Sequence, residues 1–186
     1  MIIERRSTTL AAMEALAREL SLWARPGLAL HLSGDLGAGK SAFARAFIRG
    51  LAPDDKEFDI PSPSFSLVQS YDALRVPVVH VDLYRISTPA EVAELGLEEF
   101  LAKSLMIIEW PEKLPENISP DHLKISFTGS GETRDLRLEA AGKWIEVLKR
   151  DEIIKGFVNR SEVAGGTRCH FEGDASARRY ERVAAQ

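Results

Sequence analysis

The chain has 186 residues and a formal charge of −4, with 45% hydrophobic and 28% charged residues. That is enough for one ordinary globular core with a short appendage, and its balance excludes a disordered chain. No apolar run reaches the roughly 18 residues of a membrane helix, the acidic balance excludes a broad electrostatic grip on nucleic acid, and the single Cys169 excludes an internal disulfide. The opening MIIERRSTTL lacks the charged, apolar and small-residue zones of a signal peptide, so the expectation is a cytoplasmic protein with no membrane association.

After a short apolar start at Ile2 and Ile3, residues Leu10, Met13, Leu16, Ala17 and Leu20 recur at helical spacing. Ser7, Thr8 and Thr9 are available as N-caps, and Pro26-Gly27 marks the stop. Residues 28–32 (LALHL) then read as a buried strand that ends in GDLGAGKS. This is the pattern G-x-x-x-x-G-K-[ST], with Gly34, Gly39, Lys40 and Ser41 at its fixed places. Beyond it Phe43, Phe47, Ile48 and Leu51 share one face of a helix that closes at Gly50.

A glycine loop between a strand and a helix is the context that phosphate binding requires. The glycines let the backbone curl so that N–H groups point at phosphate oxygens, and the helix N-terminus adds partial positive charge. The candidate loop contacts are Asp35, Leu36, Gly37, Ala38 and Gly39; Lys40 can reach the β- and γ-phosphates, and the Ser41 hydroxyl can ligate Mg2+. An ordinary glycine turn ahead of a helix is the bland alternative. The N-K-x-D element that reads guanine is absent, which favours ATP.

Further along, Pro61-Ser62-Pro63-Ser64-Phe65 is kept extended by its prolines. It reads either as a segment laid over the γ-phosphate, with Ser62 and Ser64 offering hydroxyls, or as a rigid connector to a strand over 66–71. Residues 76–81 form an apolar run ending in Asp82, and 105–108 another ending in Glu109. In a parallel sheet both acids reach the edge that carries the glycine loop, where an acid commonly holds magnesium or orients water. Between them 89–95 and 97–101 read as short helices joined at Gly96. Past Pro111 the alternation in 123–127 and 136–139 about Gly129-Ser130-Gly131 signals a hairpin. The expected architecture is therefore α/β of the P-loop NTPase type, a mostly parallel sheet flanked by helices with an antiparallel hairpin near the C-terminal end. His31, His80, His122 and His170 show no metal spacing and read as structural or surface residues.

Five segments in this order, GDLGAGKSAFARAFIRGL, SPSFSLVQSYD, HVDLYRI, ELGLEEFL and IIEWPEKL, resemble the TsaE (YjeE-like) family over about residues 7–140. The resemblance implies an ATPase subunit of the bacterial machinery that makes threonylcarbamoyladenosine in tRNA. It would dock on the threonylcarbamoyl-transferase subunit and its companion, meet tRNA only indirectly, and reset the complex by binding and hydrolysing ATP with Mg2+. It also implies Lys40 and Ser41 as phosphate and magnesium ligands, Glu109 as a second magnesium-side acid, and Asp82 as an acid for hydrolysis or partner contact. Trp110 becomes a functional aromatic beside the site. Ser64 stands where the family's S-P-T-[FY] stretch usually has threonine, which keeps the hydroxyl and loses a methyl. No arginine is an obvious finger, Arg85 being a candidate only through its closeness to Asp82, so slow turnover alone and faster turnover in the assembled complex are expected. A small-molecule P-loop kinase and a scaffold that binds ATP without hydrolysis are the alternatives.

The expected ATPase domain covers residues 1–142 and a helix-and-hairpin tail covers 143–186. Within the tail, residues 144–157 read as helix, and FEGDASARRYERV resembles the opening of aminoglycoside-phosphotransferase-like kinases through Gly173, Asp174, Ala175, Ser176, Arg178, Arg179 and Tyr180. A catalytic aspartate loop and a nucleotide-anchoring lysine of such a kinase do not follow, so no kinase activity is expected of the tail. The expectation is the front piece of a longer two-function chain, with a natural polar tail as the alternative.

Overall fold

The computed structural model describes residues 1–52, 59–115, 118–129, 131–158, 166–171 and 180–184. It forms two compact units, Met1–Ile145 and Glu146–Gln186. Among the described residues the first unit contains a seven-stranded sheet. Its strands are β1 (Ile2–Thr9), β2 (Ala29–Gly34), β3 (Val68–Tyr71), β4 (Val78–Asp82), β5 (Leu105–Glu109), β6 (His122–Thr128) and β7 (Thr133–Ala140). Their spatial order is β1-β7-β6-β2-β5-β4-β3. Strands β6, β2, β5 and β4 run parallel in the middle, while β1, β7 and β3 add antiparallel margins.

Helix α1 (Leu10–Ser21) starts where the Thr9 hydroxyl accepts a hydrogen bond from the Ala12 N–H, satisfying a donor that has no partner inside the helix. Its apolar spacing buries Met13, Ala17 and Leu20. Helix α2 (Lys40–Arg49) follows β2 directly and buries Phe43, Phe47 and Ile48 completely. The short helices α3 (Pro89–Glu94) and α4 (Leu97–Leu101) lie on either side of Gly96, as their sequence indicates. Their Val92 and Leu97 join the core formed by Val79, Val81, Met106 and Ile108. Helix α5 (Lys143–Val158) begins in the first unit, where the buried Trp144 donates its indole N–H to the Ala29 carbonyl at 3.0 Å.

Strand β1 extends well past the Ile2–Ile3 run that marks it in the sequence. It pairs antiparallel with β7 from Ile2↔Glu139 to Thr9↔Thr133, with an irregularity between Arg5 and Thr8. An edge strand held by its backbone ladder needs no buried side-chain face, so its polar residues give no alternation to read.

In the second unit, β8 (Thr167–Phe171) and β9 (Tyr180–Ala184) pair antiparallel. The Asp151 carboxylate, almost fully buried, is neutralised by Arg168 at 2.7 Å and Lys155 at 2.8 Å. The G-D-A-S turn and the Arg178-Arg179 pair lie outside the described residues. No described helix is long and apolar enough to cross a membrane.

Candidate functional site

The glycine loop leaves the C-terminal end of β2 at Gly34 and enters α2 at Lys40. Gly34 is required by close approach: a Cβ there would stand 2.6 Å from the Phe127 carbonyl oxygen of β6. Gly39, at φ 107°, occupies a conformation that side chains rarely adopt. Three strand-to-loop transitions meet here because parallel strands deliver their C-terminal ends to one edge of the sheet. Asp82 of β4 and Glu109 of β5 are register partners, so the two acids stand side by side next to the loop.

Each acid is nearly buried and each is held differently. Glu109 is 2% exposed and accepts hydrogen bonds from the Ser41 hydroxyl at 2.9 Å and, through its other oxygen, from His80 Nε2 at 2.9 Å. Contact with a carboxylate oxygen places a proton on Nε2, and the buried Nδ1 has no partner among the described residues. Asp82 accepts from the Ser64 hydroxyl at 2.6 Å and from the Tyr84 backbone N–H at 2.9 Å. Ser62 and Ser64 share a further hydrogen bond of 2.9 Å, so the proline-kept segment is tied to the strand end by a chain of hydroxyls.

Lys40 is buried at 4% exposure, and its ammonium donates to the Gly34 carbonyl at 2.6 Å and the Asp35 carbonyl at 2.8 Å. The same ammonium sits 4.0 Å above the centre of the Trp110 ring. Loss of hydration pulls its pKa below the ordinary lysine value, and the negative charges of Glu109, Asp82, Glu112 and Asp35 oppose that pull. Trp110 has a left-handed backbone (φ 61°), a strained choice for a bulky residue that precedes a proline. Its N–H bonds the Leu32 carbonyl at 3.2 Å and its ring lies 5.1 Å from that of Tyr84, which together hold the indole beside the lysine.

These groups surround a pocket of about 310 Å3. It gathers Leu36, Gly37, Gly39, Lys40 and Ser41 from the loop with Ser64, Asp82, Glu109 and Trp110 from three later segments. Asp35 and Ala38 are not among its lining residues; Asp35 contributes a carbonyl to Lys40, and the buried Ala38 closes a turn by donating its N–H to the Asp35 carbonyl at 3.1 Å. Arg85 lies against the exposed Phe65 ring at 5.4 Å and does not line the pocket. Arg45 and Tyr84 line the pocket without a sequence motif to mark them, and His80, structural by its sequence, holds Glu109. Arg45 follows Ser41 by one helical turn and so shares its face, and His80 precedes Asp82 by two residues and so shares its side of the strand. The spacing puts them on the faces of Ser41 and Asp82, and only the fold shows what they meet there.

The family model described as "Threonylcarbamoyl adenosine biosynthesis protein TsaE" matches residues 7–136. The curated proteins named tRNA threonylcarbamoyladenosine biosynthesis protein TsaE include one from Bacillus subtilis, 31% identical over 73% of this chain and 84% of that protein. Another, from Rickettsia conorii, is 38% identical over 60% of this chain, which spans 63% of that relative's length. Among solved structures, the crystal structure of YdiB from Bacillus subtilis superposes with a TM-score of 0.64 at 26% identity, covering 84% of this chain and 97% of that one. The glycine loop, both acids and Trp110 all fall inside the matched stretch, so the chain belongs to the TsaE family of threonylcarbamoyl adenosine biosynthesis proteins.

Proposed function

We propose that this chain binds ATP with Mg2+ at the glycine loop, hydrolyses it slowly alone and faster within a partner complex, and thereby resets the machinery of tRNA threonylcarbamoyladenosine synthesis. The observation that carries this reading is the 2.9 Å hydrogen bond joining the Ser41 hydroxyl to Glu109, since a loop hydroxyl paired with a buried strand-end acid is the donor set a phosphate-bound magnesium ion takes. The fit is supported further by the glycine-shaped loop at a helix N-terminus and by a buried lysine whose nearest acceptors are loop carbonyls.

In this reading the loop amides and Lys40 bind the triphosphate, and Ser41 and Glu109 would hold Mg2+. The ion supplies charge neutralisation on the phosphate oxygens. His80, fully enclosed, fixes the rotamer of Glu109 and keeps one of its oxygens occupied, which leaves the other directed to Ser41. Asp82, steadied by Ser64 and the Tyr84 N–H, orients the attacking water and takes its proton as the water oxygen bonds the γ-phosphorus. The bond from that phosphorus to the β–γ bridging oxygen breaks, and ADP leaves with its electron pair. Trp110 covers the lysine and shields it from solvent. The partners are the threonylcarbamoyl-transferase subunit and its companion, and the chain's net negative charge suits contact with proteins better than direct contact with tRNA.

The test is phosphate release by the purified chain, alone and with those partner subunits, beside Lys40→Ala. A rise of at least tenfold on adding partners, absent in Lys40→Ala, is expected. Equal rates with and without partners would count against the reset role, and equal rates for the variant would count against the site.

A further inference from the structure

Arg134 lies on β7, 96 positions along the chain from the loop residue it touches. Its guanidinium donates from Nε to the Ala38 carbonyl at 3.2 Å and from Nη2 to the Gly37 carbonyl at 3.4 Å. The remaining donor used, Nη1, bonds the Gly131 carbonyl at 2.7 Å and the Thr133 carbonyl at 2.8 Å. Among the described residues no carboxylate pairs with it. Every acceptor it uses is a backbone carbonyl, two at the hairpin turn and two on the back of the glycine loop.

We propose that Arg134 is a positioning residue for nucleotide binding: it fixes the loop turn at Gly37 and Ala38 and with it the Ala38–Gly39 peptide that faces the pocket. This rests on the reading of the loop as a triphosphate site. A backbone that turns its N–H groups inward must turn its carbonyls outward, and those carbonyls need partners. The two ends of a trans peptide point in opposite directions. Pinning the Ala38 carbonyl on Arg134 therefore turns the Gly39 N–H the other way, and Gly39 lines the pocket. A fixed cation on the carbonyl end also polarises the peptide, which strengthens its N–H as a donor. Within the loop the Lys40 ammonium already holds the Gly34 and Asp35 carbonyls. Arg134 is the cation that holds the carbonyls of Gly37 and Ala38, next to the start of α2.

A planar guanidinium spans two neighbouring carbonyls, whereas an ammonium is a single point charge. That difference supplies the test. In the full chain, Arg134→Gln should weaken binding of a non-hydrolysable ATP analogue with Mg2+ about tenfold by calorimetry. KM for ATP should rise by the same factor while kcat stays within about threefold, the pattern of lost uniform binding. Amide exchange at Ala38, whose N–H bonds the Asp35 carbonyl from the peptide that Arg134 holds by its Gly37 carbonyl, should quicken about tenfold without nucleotide. Arg134→Lys should recover only part of the affinity and of the exchange protection, and it serves as the second variant if the glutamine form folds poorly. Affinity and exchange in both variants within twofold of the wild type would overturn the inference, as would full recovery by lysine, which would leave charge alone as the cause. A wild-type chain that takes up no ATP analogue would instead remove the nucleotide reading, and the exchange measurement would still decide whether Arg134 orders the loop.

Discussion

Strands β4 and β5 are buried at every position, whereas β6 and β7 alternate between buried and partly exposed residues. The first pair runs parallel with both faces covered; the second, in which β6 is parallel to β2 and β7 turns back antiparallel, forms a wing covered on one face. The consequence for chemistry is direct. A strand end enclosed on both sides can hold a carboxylate out of water, and there Asp82 and Glu109 are supplied with designated hydrogen-bond donors instead of solvent. The wing has a solvated face and can carry long cationic side chains. One of these, Arg134, reaches the glycine loop, and another, Arg137, remains among surface carboxylates. The middle of the sheet thus holds the buried acids of the pocket, and the wing supplies the arginine that bonds the back of the loop.

Substitutions in the two regions should separate by size. The largest effect is expected for Glu109→Gln, which keeps the shape while removing the charge and one of the two acceptor oxygens. Phosphate release should fall on the order of a thousandfold, ~4 kcal/mol of barrier, with the melting temperature little changed. Next, Ile108→Ala in fully enclosed β5 should lower stability by about 3 kcal/mol in urea unfolding, through lost transfer energy and the cavity left behind.

The seam between the regions offers a third, through pH. His31 of β2 stacks on His122 of β6 at 4.4 Å and meets the Ser119 hydroxyl at 2.7 Å. Burial, then the nearby His122 and Lys124, lower its pKa from 6.5 to about 3. The unfolded chain therefore binds this proton more readily than the folded one. Stability from this residue is complete above pH 6.5 and is lost as pH falls toward 3, at up to ~1.4 kcal/mol per unit. Between pH 7.5 and pH 5 the wild type should lose about 2 kcal/mol more than His31→Gln in paired urea titrations. The smallest effect is expected on the wing's solvated face. Arg137→Ala breaks surface ion pairs with Glu4 and Glu139 and should shift stability by less than about 0.5 kcal/mol, because solvent already screens them. A loss above 1.5 kcal/mol there, or below 1 kcal/mol for Ile108→Ala, would dissolve the distinction between the regions.

Much of this arrangement is legible before any coordinates. The apolar runs that end in Asp82 and Glu109, the glycine pattern between a strand and a helix, and the alternation of the hairpin are local signals, each carried by a period of two or 3.6 residues. Strand β1 was legible only at Ile2 and Ile3, because the rest of it is held by backbone pairing and exposes its side chains. His80 read as an ordinary structural histidine, since spacing alone does not reveal that a neighbouring strand brings Glu109 to its Nε2.

The amino-acid order by itself determined that a phosphate-shaped loop exists, that two acids end neighbouring apolar runs, and that the chain resembles one family along most of its length. Only the folded arrangement decided which partner each group has: Ser41 with Glu109, Ser64 with Asp82, Lys40 with Trp110, and Arg134 with the back of the loop. The reason is one of range. Periodicity and turn chemistry act over a few residues, while a hydrogen bond between residues 18 to 96 positions apart depends on strand order and register, which the whole sheet sets at once.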